Sequence, residues 1–326
     1  MQLFNNIESE IISSILKAEF SLKIAVTWFT NHDIFNAIIE KLKNPNFKVD
    51  LIVLNDRINN KREGVDFQKL IDLNGNFYFS RNENMVHHKF CIVDNSFVIT
   101  GSYNWTYYAE NRNWENVVIL SDKEIVNGYV EEFEKILDSH EKIENILTTQ
   151  NINASVTSND YLLTDYEFQA KSEQKKGNDL AVAKIYTELL RINTKQQDIL
   201  EARKEIVRKY NSESFEVCPF EIGILYKNGY SMAIPAFVNL PFSVVKGGRT
   251  TSPGAESLQV NIQKNDYIKT TISQFSLDKI QPSPEGTEKI KHYLTLEKNG
   301  ILTVHCKEVN GYGREKIVKI DIKNWL

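Results

Sequence analysis

HHKFCIVDNSFVITGSYNWTYYAENRNWEN (87–116) decides how the first part of this chain folds. Two runs rich in apolar and aromatic residues, HKFCIVD (88–94) and FVITGSYN (97–104), flank a tight turn at Asn95-Ser96 and predict an antiparallel strand pair. Side chains of a strand alternate between faces, so His87 and Lys89 share one face and His88 points the other way. The same parity groups Ser102 with Asn104 on the partner strand. One face of the pair then collects an imidazole, an ammonium, a hydroxyl and a carboxamide. That set suits a phosphate ester: a nucleophile or acid, a cation for the anionic oxygens and two neutral hydrogen-bond donors. Gly101 lacks a Cβ and lets substrate or backbone come close.

Outward from this pair, strand-period and helix-period segments alternate. Ile7, Ile11, Ile12, Ile15 and Leu16 mark a helical face, and KIAVTWF (23–29) follows as a strand. Asn31 is placed to cap a helix carrying Ile34, Phe35, Ile38, Ile39 and Leu42. VDLIVLN (49–55), NFYFS (76–80) and ENVVILS (115–121) read as further strands. VDFQKLIDLNG (65–75) is a helix with a glycine C-cap, and 123–140 is a long amphipathic helix. Such alternation predicts an α/β sandwich with helices over a central sheet. Residues 146–167, rich in Asn, Ser and Thr, read as a connector. Two amphipathic helices, 178–193 and 196–209, predict a helical hairpin. From 212 onward short alternating strands with turns at Asn228-Gly229 and Asn299-Gly300 predict an all-β sandwich.

The 326 residues carry 39 Lys plus Arg and 43 Asp plus Glu, a net charge of -4. That balance excludes coating of nucleic acid by bulk positive charge and leaves room for a local basic site. MQLFNNIESE does not read as a secretory signal, and no apolar run reaches the ~18 residues of a membrane span. Cys91, Cys218 and Cys306 lie far apart with no CxxC pair, which argues against a disulfide framework or Cys-rich zinc site and favours a cytoplasmic location.

His87-x-Lys89-x4-Asp94-x6-Gly101-Ser102-x-Asn104 resembles, at full spacing, the HKD signature of the phospholipase D superfamily, and the resemblance covers about residues 1–145. Glu115 falls where single-motif bacterial nucleases of that family place a carboxylate against the catalytic histidine. The resemblance implies that His87 attacks phosphorus to give a phosphohistidine. A second His87 protonates the leaving oxygen and later activates water. Lys89, Ser102 and Asn104 would hold the non-bridging oxygens, Glu115 would fix the tautomer of His87, and Asp94 would support the loop.

His140-Glu141-Lys142 and His305-Cys306-Lys307 fail the longer pattern, with Leu147 and Tyr312 where the aspartate should stand. With one full motif, the second histidine must come from another copy, and a homodimer with a cleft on its two-fold axis is expected. The chemistry requires no metal or other cofactor, and the sequence offers no tight carboxylate cluster beside the motif. Family members with one compact motif resemble nonspecific endonucleases, while a related mitochondrial type has been linked to lipid and RNA phosphodiesters. Residues 1–150 hold 15 Lys plus Arg against 22 Asp plus Glu, a net of -7, so any grip on nucleic acid needs a focused cleft. Lys61, Arg62, Arg81, Lys89 and Arg112 are its candidates. Tyr103, Trp105, Tyr107, Tyr108 and Trp114 are candidates for base stacking or for core and dimer contacts.

FEIGILYKNGYSMAIPAFVNLP, SLQVNIQKND and FSLDKIQPSPEGTEKIKHYLTLEKNGILTVHCKE resemble the peptide-binding β-sandwich of Hsp70 chaperones over about residues 212–322. No nucleotide-binding domain, acidic-leucine linker or helical lid accompanies it, so ATP-controlled cycling is not expected. The expected architecture is multidomain α/β plus all-β. It comprises a phospholipase D-like α/β/α sandwich over 1–145, a connector and helical hairpin over 146–211, and an Hsp70-like β-sandwich over 212–326. The expected function is a metal-independent phosphodiesterase, an endonuclease first. The alternatives are a phospholipase D-type lipid enzyme and a non-catalytic dimeric module whose sandwich binds a peptide or protein.

Overall fold

The computed structural model describes residues 1–81, 85–146, 159–227, 229–249 and 252–326. These divide into two units, Met1–Ser172 and Glu173–Leu326.

In the first unit the described elements run β1 (Gln2–Leu3), α1 (Ile7–Lys17), β2 (Ser21–Val26), α2 (His32–Leu42), β3 (Lys48–Leu54), α3 (Phe67–Asp72) and β4 (Asn76–Ser80). They continue with β5 (Lys89–Val93), β6 (Phe97–Gly101), α4 (Tyr107–Arg112), β7 (Val117–Leu120), α5 (Lys123–Asp138) and α6 (Asn159–Lys175). The strands form one mixed sheet in the order β1-β7-β6-β5-β2-β3-β4. β2, β3 and β4 are parallel, and the remaining pairs are antiparallel. Alternation along the strands builds two cores. Leu22, Ile24, Cys91 and Ile99 pack with α1, α2 and α3, whereas Ala25, Phe90, Ile92 and Val98 pack with Val126, Phe133 and Ile136 of α5. Helices thus cover both faces, as the α/β/α reading expected.

Local signals explain most boundaries. The Asn31 side chain accepts from the Asp33 and Ile34 N–H groups, and Asp122 does the same for Glu124 and Ile125 at the start of α5. The expected glycine cap of α3 is displaced by one residue. Asn74 takes the left-handed conformation (φ 63°), and Gly75 is required because a Cβ there would lie 2.5 Å from Leu70 Cδ2. The β5–β6 turn is also shifted: Asp94 and Asn95, rather than Asn95-Ser96, carry positive φ (54° and 50°), and the Ser96 N–H donates to the Val93 carbonyl.

The connector expected over 146–167 gives way to α6 from Asn159; residues 147–158 lie outside the described residues. The face that α6 buries includes Leu162, Tyr166 and Ala170 but also Asp165 and Gln169. A helix with charge on its buried side shows no apolar periodicity, which is why polar composition misleads there.

The second unit holds α7 (Asp179–Ile192), α8 (Gln197–Tyr210) and strands β8 (Glu221–Tyr226), β9 (Gly229–Ile234), β10 (Phe242–Arg249) and β11 (Ser257–Asn265). β12 (Lys269–Asp278), β13 (Glu288–Leu296), β14 (Ile301–Glu308) and β15 (Glu315–Asp321) complete it. Two antiparallel sheets, β10-β13-β14-β15 and β12-β11-β8-β9, enclose a core that includes Ile222, Ile224, Ile262, Leu294 and Val304. The turn at Asn299-Gly300 is present, with Gly300 at φ 80°; Asn228 of the other expected turn lies outside the described residues. The hairpin expected as a separate linker is bonded to this sandwich. Arg203 donates to the Pro219 carbonyl (2.8 Å) and to Thr187 Oγ1 (2.7 Å), and Arg191 Nε donates to the Asp266 carbonyl (2.6 Å).

Candidate active site

The motif residues gather at one end of the mixed sheet, though not by simple strand parity. The β5–β6 register pairs Cys91 with Ile99 and ends at Phe90 with Thr100, while Gly101, the last residue of β6, pairs with Val117 of β7. Ser102, in a bend, and Asn104 therefore lie beyond the strand rather than on the face predicted from alternation. Gly101 is dictated by backbone: a Cβ there would fall 2.0 Å from the Asn116 carbonyl oxygen of the chain entering β7. That close approach lets Ser102 N donate to Asn116 O (3.0 Å) and Asn116 N donate to Ser102 Oγ (3.1 Å).

The same approach decides where Glu115 goes. Its carboxylate accepts from the Ser102 hydroxyl and, at 2.8 Å, from Asn113 Nδ2. Among the described residues no hydrogen bond joins it to His87, so the tautomer-fixing contact is replaced here by one to Ser102. His87 lies exposed just before β5. The Lys89 ammonium first, then partial burial and His88, hold its pKa below the ordinary histidine value. Lys89 itself is half-buried; burial lowers its pKa, and the Glu115 carboxylate opposes that shift. Its Nζ donates to the His87 carbonyl (2.9 Å) and to Thr27 Oγ1 (3.3 Å). The site thus carries a cation near a ring held toward its neutral, nucleophilic form.

Asn104 is buried, and its Oδ1 accepts from the Trp28 N–H (3.4 Å). With the oxygen engaged, the NH2 edge is the one presented as a donor. Asp94 sits far from this chemistry. Its carboxylate takes the N–H groups of Glu19, Phe20 and Ser21 at 2.7–2.8 Å and ties the α1–β2 connection to the β5–β6 turn, the supporting place the motif implies. His88 lies on the α5 side, exposed, with Nε2 3.8 Å from Glu132.

Several expected surface groups are elsewhere. Lys61 is buried and paired with Asp165 (2.6 Å), so it offers nothing to a cleft. Tyr103, Trp105 and Tyr107 are buried, Tyr108 is half-buried, and Trp114 is fully exposed beside Glu115. No local pattern marks Thr27, Trp28, Asp56 and Asn59 as part of the site. Asn59 Nδ2 donates to the carbonyls of Thr27 and Leu54 (2.7 Å each), its Oδ1 accepts from Phe29 N, and Trp28 Nε1 donates to Asp56 (2.8 Å). This network holds the segment that touches both Lys89 and Asn104. Its members lie some thirty positions apart with no motif linking them.

Residues 11–137 match the family model described as the phospholipase D-like domain of cardiolipin synthase, and residues 228–325 match the model of the Hsp70 protein. The first unit therefore carries a phospholipase D-like domain, and the second carries an Hsp70-like all-β region. The chain is 32% identical over 130 residues to a mitochondrial cardiolipin hydrolase of Chlamydomonas reinhardtii, covering 40% of this chain and 57% of that protein. It is 30% identical over 133 residues to the protein of that name from Xenopus tropicalis, covering 41% and 62%. Among solved structures, NucT from Helicobacter pylori is 25% identical with a TM-score of 0.36, covering 44% of this chain and 98% of that one. The chain thus spans only about three-fifths of the length of these two hydrolases. No helix among the described residues is long and apolar enough to cross a membrane.

Proposed function

We propose that the first unit is a phosphodiester hydrolase acting through His87, with nucleic acid as its substrate and the site shared between two copies of the chain. The observation that carries this reading is the exposed His87 ring, kept toward its neutral form by the ammonium of Lys89. A ring nitrogen attacks phosphorus, the phosphorus–ester oxygen bond breaks, and the leaving oxygen takes a proton from His87 of the second copy. That second imidazole then removes a proton from water, which attacks the phosphohistidine, releases the phosphate product and regenerates His87. Lys89 and the Asn104 amide stabilise the charge on the non-bridging oxygens, and Ser102 joins them once Glu115 yields its hydroxyl.

A lipid phosphodiester is the second reading. The names of the Chlamydomonas and Xenopus hydrolases favour it. Incubation of the full chain with DNA, RNA and cardiolipin vesicles in EDTA, beside His87→Ala, separates the two. Nucleic-acid cleavage that survives EDTA and vanishes in the variant supports the first reading. Cleavage of cardiolipin alone replaces it with the second, and no cleavage of any phosphodiester removes both. Gel filtration tests the shared site, since a fully active monomer would exclude it.

A further inference from the structure

Helix α6 begins after the residues that match the phospholipase D-like model, yet its side chains reach the segments that hold Asn104. The Tyr161 ring stacks on Tyr108 (centroids 4.2 Å apart, 21° between planes) and packs against Trp28 at 5.1 Å. The Tyr161 hydroxyl lies 3.0 Å from Thr106 Oγ1, which caps α4 by accepting from Ala109 N. One turn on, Asp165 accepts from Tyr108 N–H through Oδ1 (2.8 Å) and from Lys61 Nζ through Oδ2 (2.6 Å). Gln169 Oε1 accepts from the same ammonium (2.8 Å), and the cation sits 4.4 Å over the Tyr166 ring.

Asn104 is fixed from two sides. Trp28 N–H donates to its side-chain oxygen, and Thr106 N–H donates to its backbone carbonyl (2.9 Å). Both Trp28 and Thr106 touch Tyr161. We infer that Tyr161 and Asp165 are positioning residues that set the placement of the Asn104 amide, with Tyr161 acting on Trp28 and Thr106 and Asp165 on the start of α4. This inference rests on the phosphodiesterase reading. A helix needed only as cover would bury apolar side chains; a buried carboxylate bonded to both an ammonium and a backbone N–H also fixes the register in which the helix docks. The amide must meet a phosphate oxygen at hydrogen-bond distance, and a displacement of about 1 Å costs on the order of a hundredfold in rate.

The test uses the full chain with bis(p-nitrophenyl) phosphate in EDTA. Tyr161→Ala is expected to lower kcat at least about tenfold with KM within about twofold, and Tyr161→Phe, which keeps the ring contacts to Trp28 and Tyr108 and loses the hydroxyl contact to Thr106, to recover kcat in part, to within about threefold of wild type. The side-chain amide resonances of Asn104 should shift in Tyr161→Ala and shift less in Tyr161→Phe. Should Tyr161→Ala fail to fold, two double variants decide. Lys61→Met with Asp165→Asn keeps an acceptor for Tyr108 N–H and should retain kcat; Lys61→Met with Asp165→Leu lacks it and should lose about tenfold at unchanged KM. Equal kcat across folded variants overturns the inference. If the wild-type chain cleaves nothing, the functional reading fails by itself. Positioning is then judged by the resonances, and their failure to move in a folded Tyr161→Ala or in the Asp165→Leu double variant overturns it.

Discussion

The Ser102 hydroxyl donates to the Glu115 carboxylate and accepts, at 3.1 Å, from the Asn116 N–H. Glu115 is also the carboxylate that opposes the lowering of the Lys89 pKa. One anion therefore orients a hydroxyl and supports a cation. Glu115→Gln should keep the fold and lower kcat by at least about tenfold. It also removes the influence that raises the Lys89 pKa, so the alkaline limb of the pH–rate profile should move to lower pH. A profile with an unmoved alkaline limb would refute the coupling.

His87 titrates below the ordinary histidine value chiefly because of the Lys89 ammonium. Lys89→Gln removes that repulsion, so the His87 titration midpoint should move up. Proton NMR titration of the imidazole in the two proteins reads this directly, independent of turnover. A midpoint that stays or falls would show that the ammonium is not the dominant influence.

Asp94 binds three backbone N–H groups of the α1–β2 connection. Asp94→Ala leaves those donors without a carboxylate and should cost about 2–3 kcal/mol of stability, given the strength of hydrogen bonds to charged groups. Chemical denaturation measures it, and a loss under about 0.5 kcal/mol would contradict the tie.

His292 is buried in the sandwich, its Nδ1 lies 3.1 Å from Cys306 Sγ, and burial lowers its pKa to about 4. Unfolding lets it recover the value near 6.5. The unfolded state therefore binds the extra proton between these values, and the contribution of His292 to stability is complete above pH 6.5. It falls by up to about 1.4 kcal/mol per pH unit as the pH drops toward 4. Urea midpoints should show this slope in the wild type and a shallower one in His292→Leu. Parallel pH dependences would exclude His292 as the source.

Legibility in the sequence followed the range of the interactions. The motif from His87 to Asn104 is local, and its spacing announces both the strand pair and the residues that flank it. Asp94 and Gly101 are readable for the same reason, since a turn and a close strand approach demand particular residue types nearby. Lys61 read as a free cation because its partner Asp165 stands 104 positions away. Glu115 was recognisable as part of the site, but its partner depends on how the chain entering β7 runs beside Gly101. Helix α6 escaped because its buried face mixes Asp165 and Gln169 with Leu162 and Ala170. Polar residues satisfied at a distance leave no periodic trace.

The reach of α6 bears on how the molecule can be taken apart. A fragment ending at residue 145 keeps every residue of the motif. It nonetheless strips the Asp165 carboxylate from the Lys61 ammonium, the acceptor from Tyr108 N–H and the Tyr161 ring from Trp28. Without α6 the Lys61 ammonium loses its carboxylate, the Gln169 acceptor and the Tyr166 ring together, and water takes their place. The compact unit Met1–Ser172 therefore extends past the segment that carries the motif, and α6 is the described part of that extension.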